Sequence, residues 1–555
     1  MPVLDNVTQD DPLLFEGIVS FEGGMDTKTQ PRQLAMNQCV DMLNIDTDND
    51  NSATTRKGTE NWGTFPAIPA GTWPICGMAF FNTNERTDLI VARNGYLYTQ
   101  NAQTNNVAWT RINFESSDFT FTSTNDPVYF TMLEGKMFFC DGINVLRYIE
   151  PFGGSASGLV VRNCPAQSFS SGGAGSTPTT LPAPQRFVYL TTHLGRVFAV
   201  DKLYPDTLRV SSALSASSSS SWNSVDSIGL SGLKAISDGD AITGISSWTG
   251  TRLVVFKRHS TFVIQCDGDT SEWIVQNIDE NIGCASHKSI ARAGSDIFWL
   301  SDSGVRTLVR TLSGSENQIS EPLSKPITQL VSSIYLAQIE SSAACFYENR
   351  YILTVPSLPD GSSRFTMVYN TIYRSWTGRW TGMDALHYVR YTNDNIDSLF
   401  LGMKNGYVRR WLGGKKTSFD TESDYLDAGE LYESSITTRE YTFSDYLTKK
   451  TPFALEAEFL DSDADITISF IKDSGSRISL ISNVPTSAYA LTIPFLLDGF
   501  ALLPSSLAVR RGSSMLGTSQ FKGIKFVISA TSGKMNLISL AFSVYMDTYI
   551  PVETV

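Results

Sequence analysis

Asp88-Leu-Ile-Val-Ala-Arg-Asn94-Gly95-Tyr-Leu-Tyr98 carries the plan of the fold. An apolar run ends in Asn-Gly, and a second apolar run follows at once. A two-residue turn between antiparallel strands needs positive φ at both positions, which Asn and Gly tolerate best. The stretch therefore reads as a tight β-hairpin. Ser398-Leu-Phe-Leu-Gly-Met-Lys-Asn405-Gly406-Tyr-Val408 and Asp296-Ile-Phe-Trp-Leu-Ser-Asp-Ser303-Gly304-Val-Arg-Thr-Leu308 follow the same plan.

Weaker copies lie between these. They are Lys136-Met-Phe-Phe-Cys-Asp141-Gly142, Arg196-Val-Phe-Ala-Val200, the glycine-free Arg252-Leu-Val-Val-Phe-Lys-Arg-His-Ser-Thr-Phe-Val-Ile264, and Arg350-Tyr-Ile-Leu-Thr-Val355 before Asp360-Gly361. Successive copies are spaced by roughly 45 to 60 residues, the period of propeller blades with loop insertions. A small antiparallel sheet cannot bury both faces alone, whereas a ring of such sheets can. About seven units fall within residues 73–412 by this hairpin signal. The expected fold is all-β: a six- or seven-bladed β-propeller in which the N-terminal segment can complete a blade.

Composition agrees. Charged residues are only 18% of the 555, while 31 Phe, 21 Tyr and 10 Trp favour strands over helices. The net charge of −13 opposes a surface that grips nucleic-acid phosphates, although it suits a wall past which DNA slides. Seven cysteines, an odd number without a C-x-x-C pair, read as buried reduced thiols of a protein made in a reducing cytosol. The N-terminus lacks the basic and apolar regions of a signal peptide. The apolar stretch 493–509 is broken by Asp498 and Pro504, so no membrane insertion is expected.

The texture divides the chain. Residues 1–70 read as an N-terminal platform segment and 71–417 as the propeller. The acidic stretch 418–434, without an apolar run, reads as a linker, and 435–555 as a C-terminal β-sandwich domain. In that last part Phe453-Ala-Leu-Glu-Ala-Glu-Phe-Leu460, Asp465-Ile-Thr-Ile-Ser-Phe-Ile471 and Phe521-Lys-Gly-Ile-Lys-Phe-Val-Ile528 alternate without the blade repeat. Ser168 to Gln185 and the serine run Ser217 to Ser221 read as loops, and Ser320 to Ile334 as the place of one short helix.

Chemistry is sparse. His193, His259, His287 and His387 are far apart, and none shows metal-ligand spacing. There is no G-x-S-x-G elbow and no phosphate-binding P-loop. Asp46-Thr-Asp48-Asn-Asp50 opens like a calcium loop, but an EF-hand needs Gly and Glu where Asn51 and Lys57 stand. Asp461-Ser-Asp463-Ala-Asp465 fails likewise at Ile466 and Lys472. Both read as polar turns, with weak calcium binding by another geometry left open. Ser301-Asp302-Ser303-Gly304 only superficially follows a sialidase turn. The pairs Arg409-Arg410, Lys415-Lys416, Lys449-Lys450 and Arg510-Arg511 read as solvated turns. No catalytic, cofactor-binding or metal-binding residue is assigned, and the chain is expected not to be an enzyme.

Phe21-Glu-Gly23-Gly24-Met-Asp-Thr27, then Gln38-Cys-Val-Asp-Met-Leu-Asn-Ile-Asp46, then Arg56-Lys-Gly58 resemble the opening of tail nozzle or tail-hub proteins (tail tubular protein B-like) of short-tailed bacteriophages. Val255 to Ile264, Ile282-Gly-Cys-Ala-Ser-His-Lys-Ser-Ile290, Asp296 to Val305, Tyr351-Ile-Leu-Thr354 and Val368-Tyr-Asn-Thr-Ile-Tyr-Arg-Ser-Trp376 are similar, in order, to that family's propeller. The resemblance implies a virion structural protein: a homohexamer below the portal and its adaptor (the head-to-tail connector), through whose lumen double-stranded DNA passes on ejection without specific binding. It also implies that residues 15–65 contact the adaptor and that tail fibres can dock nearby. The competing expectation is a receptor- or carbohydrate-binding propeller of a phage tail, for which Trp248, Trp376 and Trp380 are the aromatic candidates.

Overall fold

The computed structural model describes residues 13–546, apart from 48–50, 67–72, 84–85, 102–106, 153–157, 165–169, 172–178, 181–185, 218–221, 223–227, 230–239, 311–316, 394–395, 414–420, 461, 463, 474, 486–505 and 512–519. Among the described residues four-stranded antiparallel units dominate, and seven follow one another, six as separate sheets and one, the sixth, as part of a ten-stranded sheet. The first contains Ile75–Asn82, Thr87–Arg93, Tyr96–Asn101 and Thr110–Ile112. The next five begin at Tyr129–Leu133, Phe187–His193, Ile242–Ser247, Ala291–Ala293 and Ala343–Tyr347. The seventh runs Ala385–Asn393, Ile396–Met403 and Val408–Trp411.

The sequence repeat occupies one position in this unit, the second strand. Thr87–Arg93, Lys136–Cys140, Arg196–Asp201, Arg252–Lys257, Asp296–Ser301 and Arg350–Pro356 each begin with a half-buried residue and are then buried almost throughout. Sheets pack on both faces of these strands, so both parities must be apolar. Neighbouring residues accordingly enter different cores. Phe139 packs between the first and second sheets and Phe138 between the second and third. Trp299 and Phe298 divide in the same way, as do Ile352 and Leu353. Phe400 meets Leu89 and Tyr98 of the first sheet, which closes the ring. The chain is a β-propeller.

Asn94 and Gly95 have φ of 49° and 76°, as the hairpin reading requires. At Asn405-Gly406 only the glycine has positive φ, so that turn is of another type. The short helix expected within 320–334 is present as Lys325–Ile327 and Thr328–Ser332.

The fourth strand of the seventh sheet comes from the other end of the chain. Thr59–Asn61 pairs antiparallel with Val408–Trp411, Thr59 facing Trp411 and Asn61 facing Arg409. Its approach is clamped from outside. The Gly58 N–H donates to the Asp424 carbonyl at 2.7 Å and the Thr59 N–H to that of Leu426 at 2.9 Å. A Cβ on Gly58 would stand 1.9 Å from the Leu426 carbonyl oxygen, so only glycine fits there.

Arg56 locks the crossing. It is fully buried and forms a bidentate ion pair with buried Asp427, Nη1 to Oδ1 at 3.1 Å and Nη2 to Oδ2 at 2.5 Å. It also donates from Nε to Asn44 Oδ1 at 3.0 Å and from Nη2 to the Thr381 carbonyl at 2.8 Å. The Tyr432 ring lies 4.0 Å from its guanidinium carbon.

The sixth sheet continues beyond the propeller. Its outer strand Ser375–Trp380 meets Gln38–Leu43, and the sheet runs on through Ser434–Thr438, Ile524–Ala530, Asp465–Lys472 and Arg477–Pro485. A second sheet holds Ile45–Thr47, Ala53–Thr55, Asn536–Met546, Lys450–Leu460 and Ser506–Arg511, with Leu13–Ile18 on Asn536–Met546. Ile436, Phe470 and Phe526 of the first sheet share one core with Leu455, Leu540 and Phe542 of the second.

The described part of segment 1–70, expected as a platform segment that can complete a blade, supplies that strand and others. Its strands complete the seventh blade and enter both C-terminal sheets, because a lone strand leaves its backbone groups unpaired. The stretch 418–434, expected as a linker, is anchored in its described part by the Arg56 contacts and by a capping box, Thr421 with Asp424, on a short 3₁₀ turn. Breaking one side of the buried pair should be costly. Arg56→Met should lower the unfolding free energy by about 3–5 kcal/mol, read as a shifted urea midpoint, and adding Asp427→Asn should recover part of it. A single variant with an unchanged midpoint would contradict the lock.

Candidate functional site

The first strands of the sheets surround the propeller axis, and where they begin a cavity of about 600 Å³ opens. Its wall is assembled from distant segments. Tyr129 begins the second sheet, Tyr189 lies in the first strand of the third, and His387 in that of the seventh. His287 and Lys288 come from the one-turn 3₁₀ helix His287–Ser289 that leads into the fifth sheet. Glu340 comes from Leu336–Ser341, which leads into the sixth, and lies exposed at the rim.

Aromatic packing fixes one side. His287 stacks on Tyr189 with ring centroids 4.6 Å apart and meets Tyr129 edge-on at 5.1 Å. The Ile245 N–H donates to His287 Nδ1 at 3.3 Å, so Nδ1 accepts and the ring proton belongs on Nε2. Burial, with a smaller push from Lys288, brings the His287 imidazole down to about 3, so it stays neutral at pH 7. Burial and then Lys288 also hold His387 well below the usual histidine range. The Tyr129 and Tyr189 hydroxyls are pushed up by burial and remain protonated.

Lys288 stands apart. It keeps some surface toward the cavity, yet protein surrounds it, and burial followed by the Arg364 charge lowers its ammonium to about 7. Among the described residues it makes no ion pair. At neutral pH the wall therefore offers the Lys288 amine divided between two protonation states, neutral imidazoles and neutral phenols, with Lys202, Asp126, Asp141 and Glu340 also lining it. That arrangement can accept an anion or exchange a proton.

The four histidines part company here. His287 and His387 share the cavity. His193 is buried with Nδ1 2.9 Å from Ser247 Oγ, and His259 is exposed beside Asp240 and Asp302. Among the described residues no three His, Cys, Asp or Glu side chains gather as a metal site. Asp46 instead holds Arg350 at 2.9 Å. Asp48, Asp50, Asp461 and Asp463 lie outside the described residues, as does much of 168–185 and 217–221. Trp248, Trp376 and Trp380 are all core residues, so they form no exposed aromatic cluster. All seven cysteines are free, and six are buried. Burial raises their thiols, that of Cys39 to about 12 and that of Cys76 to about 11. No helix among the described residues is long and apolar enough to cross a membrane.

No protein-family model matches the chain, and no curated protein matches it. Solved structures similar to it include BamB from Moraxella catarrhalis, at 10% identity and a TM-score of 0.36 over 68% of this chain and 95% of that one. The Cps50 (Swd1) β-propeller domain of Myceliophteria thermophila is similar at 10% identity and a TM-score of 0.36, over 62% of this chain and 98% of that one. The computationally designed Ika8 protein is similar at 10% identity and a TM-score of 0.32, over 63% and 99%.

The depressed Lys288 has a measurable consequence. From about pH 7 up to the ordinary lysine range, the unfolded chain keeps a proton that folded Lys288 has released. Stability owed to this group therefore rises with pH across that window, and its full cost is present below pH 7. Lys288→Met should raise stability at pH 6.5, and the gain should shrink steadily as pH climbs toward the ordinary lysine range. Thermal melts of both proteins across that range check it; a gain independent of pH would contradict it.

Proposed function

We propose that this chain is a structural subunit of a short-tailed phage tail, of the nozzle or hub kind, working as a homohexamer around a channel for the genome. The observation that supports this most is where the residues that carry the family resemblance fall. Phe21 is fully buried, Gly24 has φ of 62° and lies against the Trp376 carbonyl, and Asp26 caps the following turn by accepting from the Lys28 and Thr29 N–H groups at 2.9 Å. Gln38–Leu43 bridges the sixth blade and the C-terminal sheets, and Arg56-Lys57-Gly58 closes the ring. The three opening motifs thus sit at joints between propeller and C-terminal sheets, as expected of residues that define a shared scaffold.

Exposed apolar side chains supply a candidate for subunit contact. Val19 (80% exposed), Phe15, Met36 and Leu447 (81%) stand on segments tied together by the Glu16–Arg439 ion pair and by Arg32 over the Tyr446 ring. A connected region carrying several such groups is the kind of surface that association covers. In the hexamer the adaptor lies above, tail fibres can dock beside it, and DNA passes without specific contacts. The net charge of −13 suits such a wall. Deleting residues 15–65 is not a clean test of adaptor binding, since it removes the strand that closes the propeller.

Mass photometry and negative-stain imaging of the purified chain should show six-fold rings of six 61.0 kDa subunits. A monomer at all concentrations, with no rings formed on adaptor-bearing heads, would overturn the reading. Val19→Asp with Leu447→Asp should abolish rings while leaving the melting temperature within about 2 °C of wild type, since exposed substitutions cost little. Rings that survive would remove this surface from the interface.

A further inference from the structure

We propose that the central cavity binds a small oxyanion, a carboxylate or phosphate group held by Lys288 with Arg364 behind it. This goes beyond the tail reading and does not depend on it.

The argument starts from uncompensated charge. Lys288 lines a half-open cavity and meets no carboxylate at ion-pair distance among the described residues. Arg364, at the start of Arg364–Asn370, is only 8% exposed. It donates from Nη1 to Ser341 Oγ and from Nη2 to the Ser341 carbonyl, both at 2.8 Å, and Ser341 lines the cavity. Its Nε is buried with no partner, and no ion pair neutralises it among the described residues. Two like charges thus act on each other in a low-dielectric place, in a chain whose overall charge is −13. Buried charges are normally paired, because desolvation without a counterion is expensive. An anion bound between the cavity and Ser341 relieves both.

The surroundings suit an oxyanion. His287 presents Nε2–H as a donor, and Tyr129 and Tyr189 bring hydroxyls that stay protonated. A cavity of this volume lies in the range that holds a small ligand. Arg364 on the sixth sheet and Cys76 on the first act on Lys288, which in turn lowers His287 on its own turn and His387 on the seventh sheet, while Lys202 and Asp141 share the wall. Asp384 acts on Arg364 from a distance without contact. The exposed acids Glu340 and Asp126 stand at the rim, where they select against large polyanions.

The test is calorimetric titration of the full chain with inorganic phosphate and, separately, with benzoate. At least one should bind at pH 6.5 with a dissociation constant below about 1 mM. Phosphate alone assigns the site to phosphates, and benzoate alone to carboxylates. Lys288→Met should weaken binding at least tenfold, while Lys288→Arg should retain it. Lys325→Met, at an exposed lysine away from the cavity, should have no effect. Affinity should also fall as pH is raised from 6.5 to 9. No heat from either anion at 10 mM, or unchanged affinity in folded Lys288→Met, overturns the proposal. If Lys288→Met fails to fold, affinity in the wild type that does not change with pH overturns it as well.

Discussion

The buried pair between Arg56 and Asp427 is the constraint on which the rest of the molecule depends. The ring closes where the last sheet packs on the first, and that last sheet lacks its fourth strand until Thr59–Asn61 arrives. That strand is three residues long, too short to hold itself by ladder bonds alone. Arg56, immediately before it, converts a marginal contact into a fixed one by reaching Asn44, Thr381 and Asp427 together. The same guanidinium therefore ties the N-terminal thread, the sixth-to-seventh connection and the acidic stretch at a single point. Removing it leaves a carboxylate buried without a counterion, which costs more than the pair itself contributes.

Closure has a chemical consequence. The His287–Lys288 turn and His387 lie far apart in sequence, and only a completed ring brings them to one wall. A cation that would be solvated on an open sheet is then enclosed with Arg364 near it, and its ammonium falls to about 7. The geometry that stabilises the scaffold also creates a cavity with a polar wall.

The blades were legible because their second strands are buried on both faces. Double burial prints a local signal, a continuous apolar run ended by a turn, and Thr87–Arg93 or Asp296–Ser301 can be recognised without their neighbours. The threading of the N-terminus was not legible in the same way. Arg56 and Asp427 stand 371 positions apart, and no periodicity connects them. The stretch 418–434 read as a linker because it is acidic and has no apolar run, yet the Asp427 ion pair and backbone hydrogen bonds hold its described part, and such bonds leave no hydrophobic pattern. Lys288 lay inside Ile282–Ile290, notable only for family likeness. A lysine after a histidine signals nothing until the fold encloses it.

Hydrogen exchange of the intact chain probes the closing strand most directly. If Thr59–Asn61 completes the ring under the Arg56–Asp427 lock, its amides and those of Val408–Trp411 should be protected to the same degree and exchange together. Exchange of residues 59–61 at loop rates, with the seventh blade otherwise protected, would show that the propeller stands without its N-terminal strand and would contradict the account.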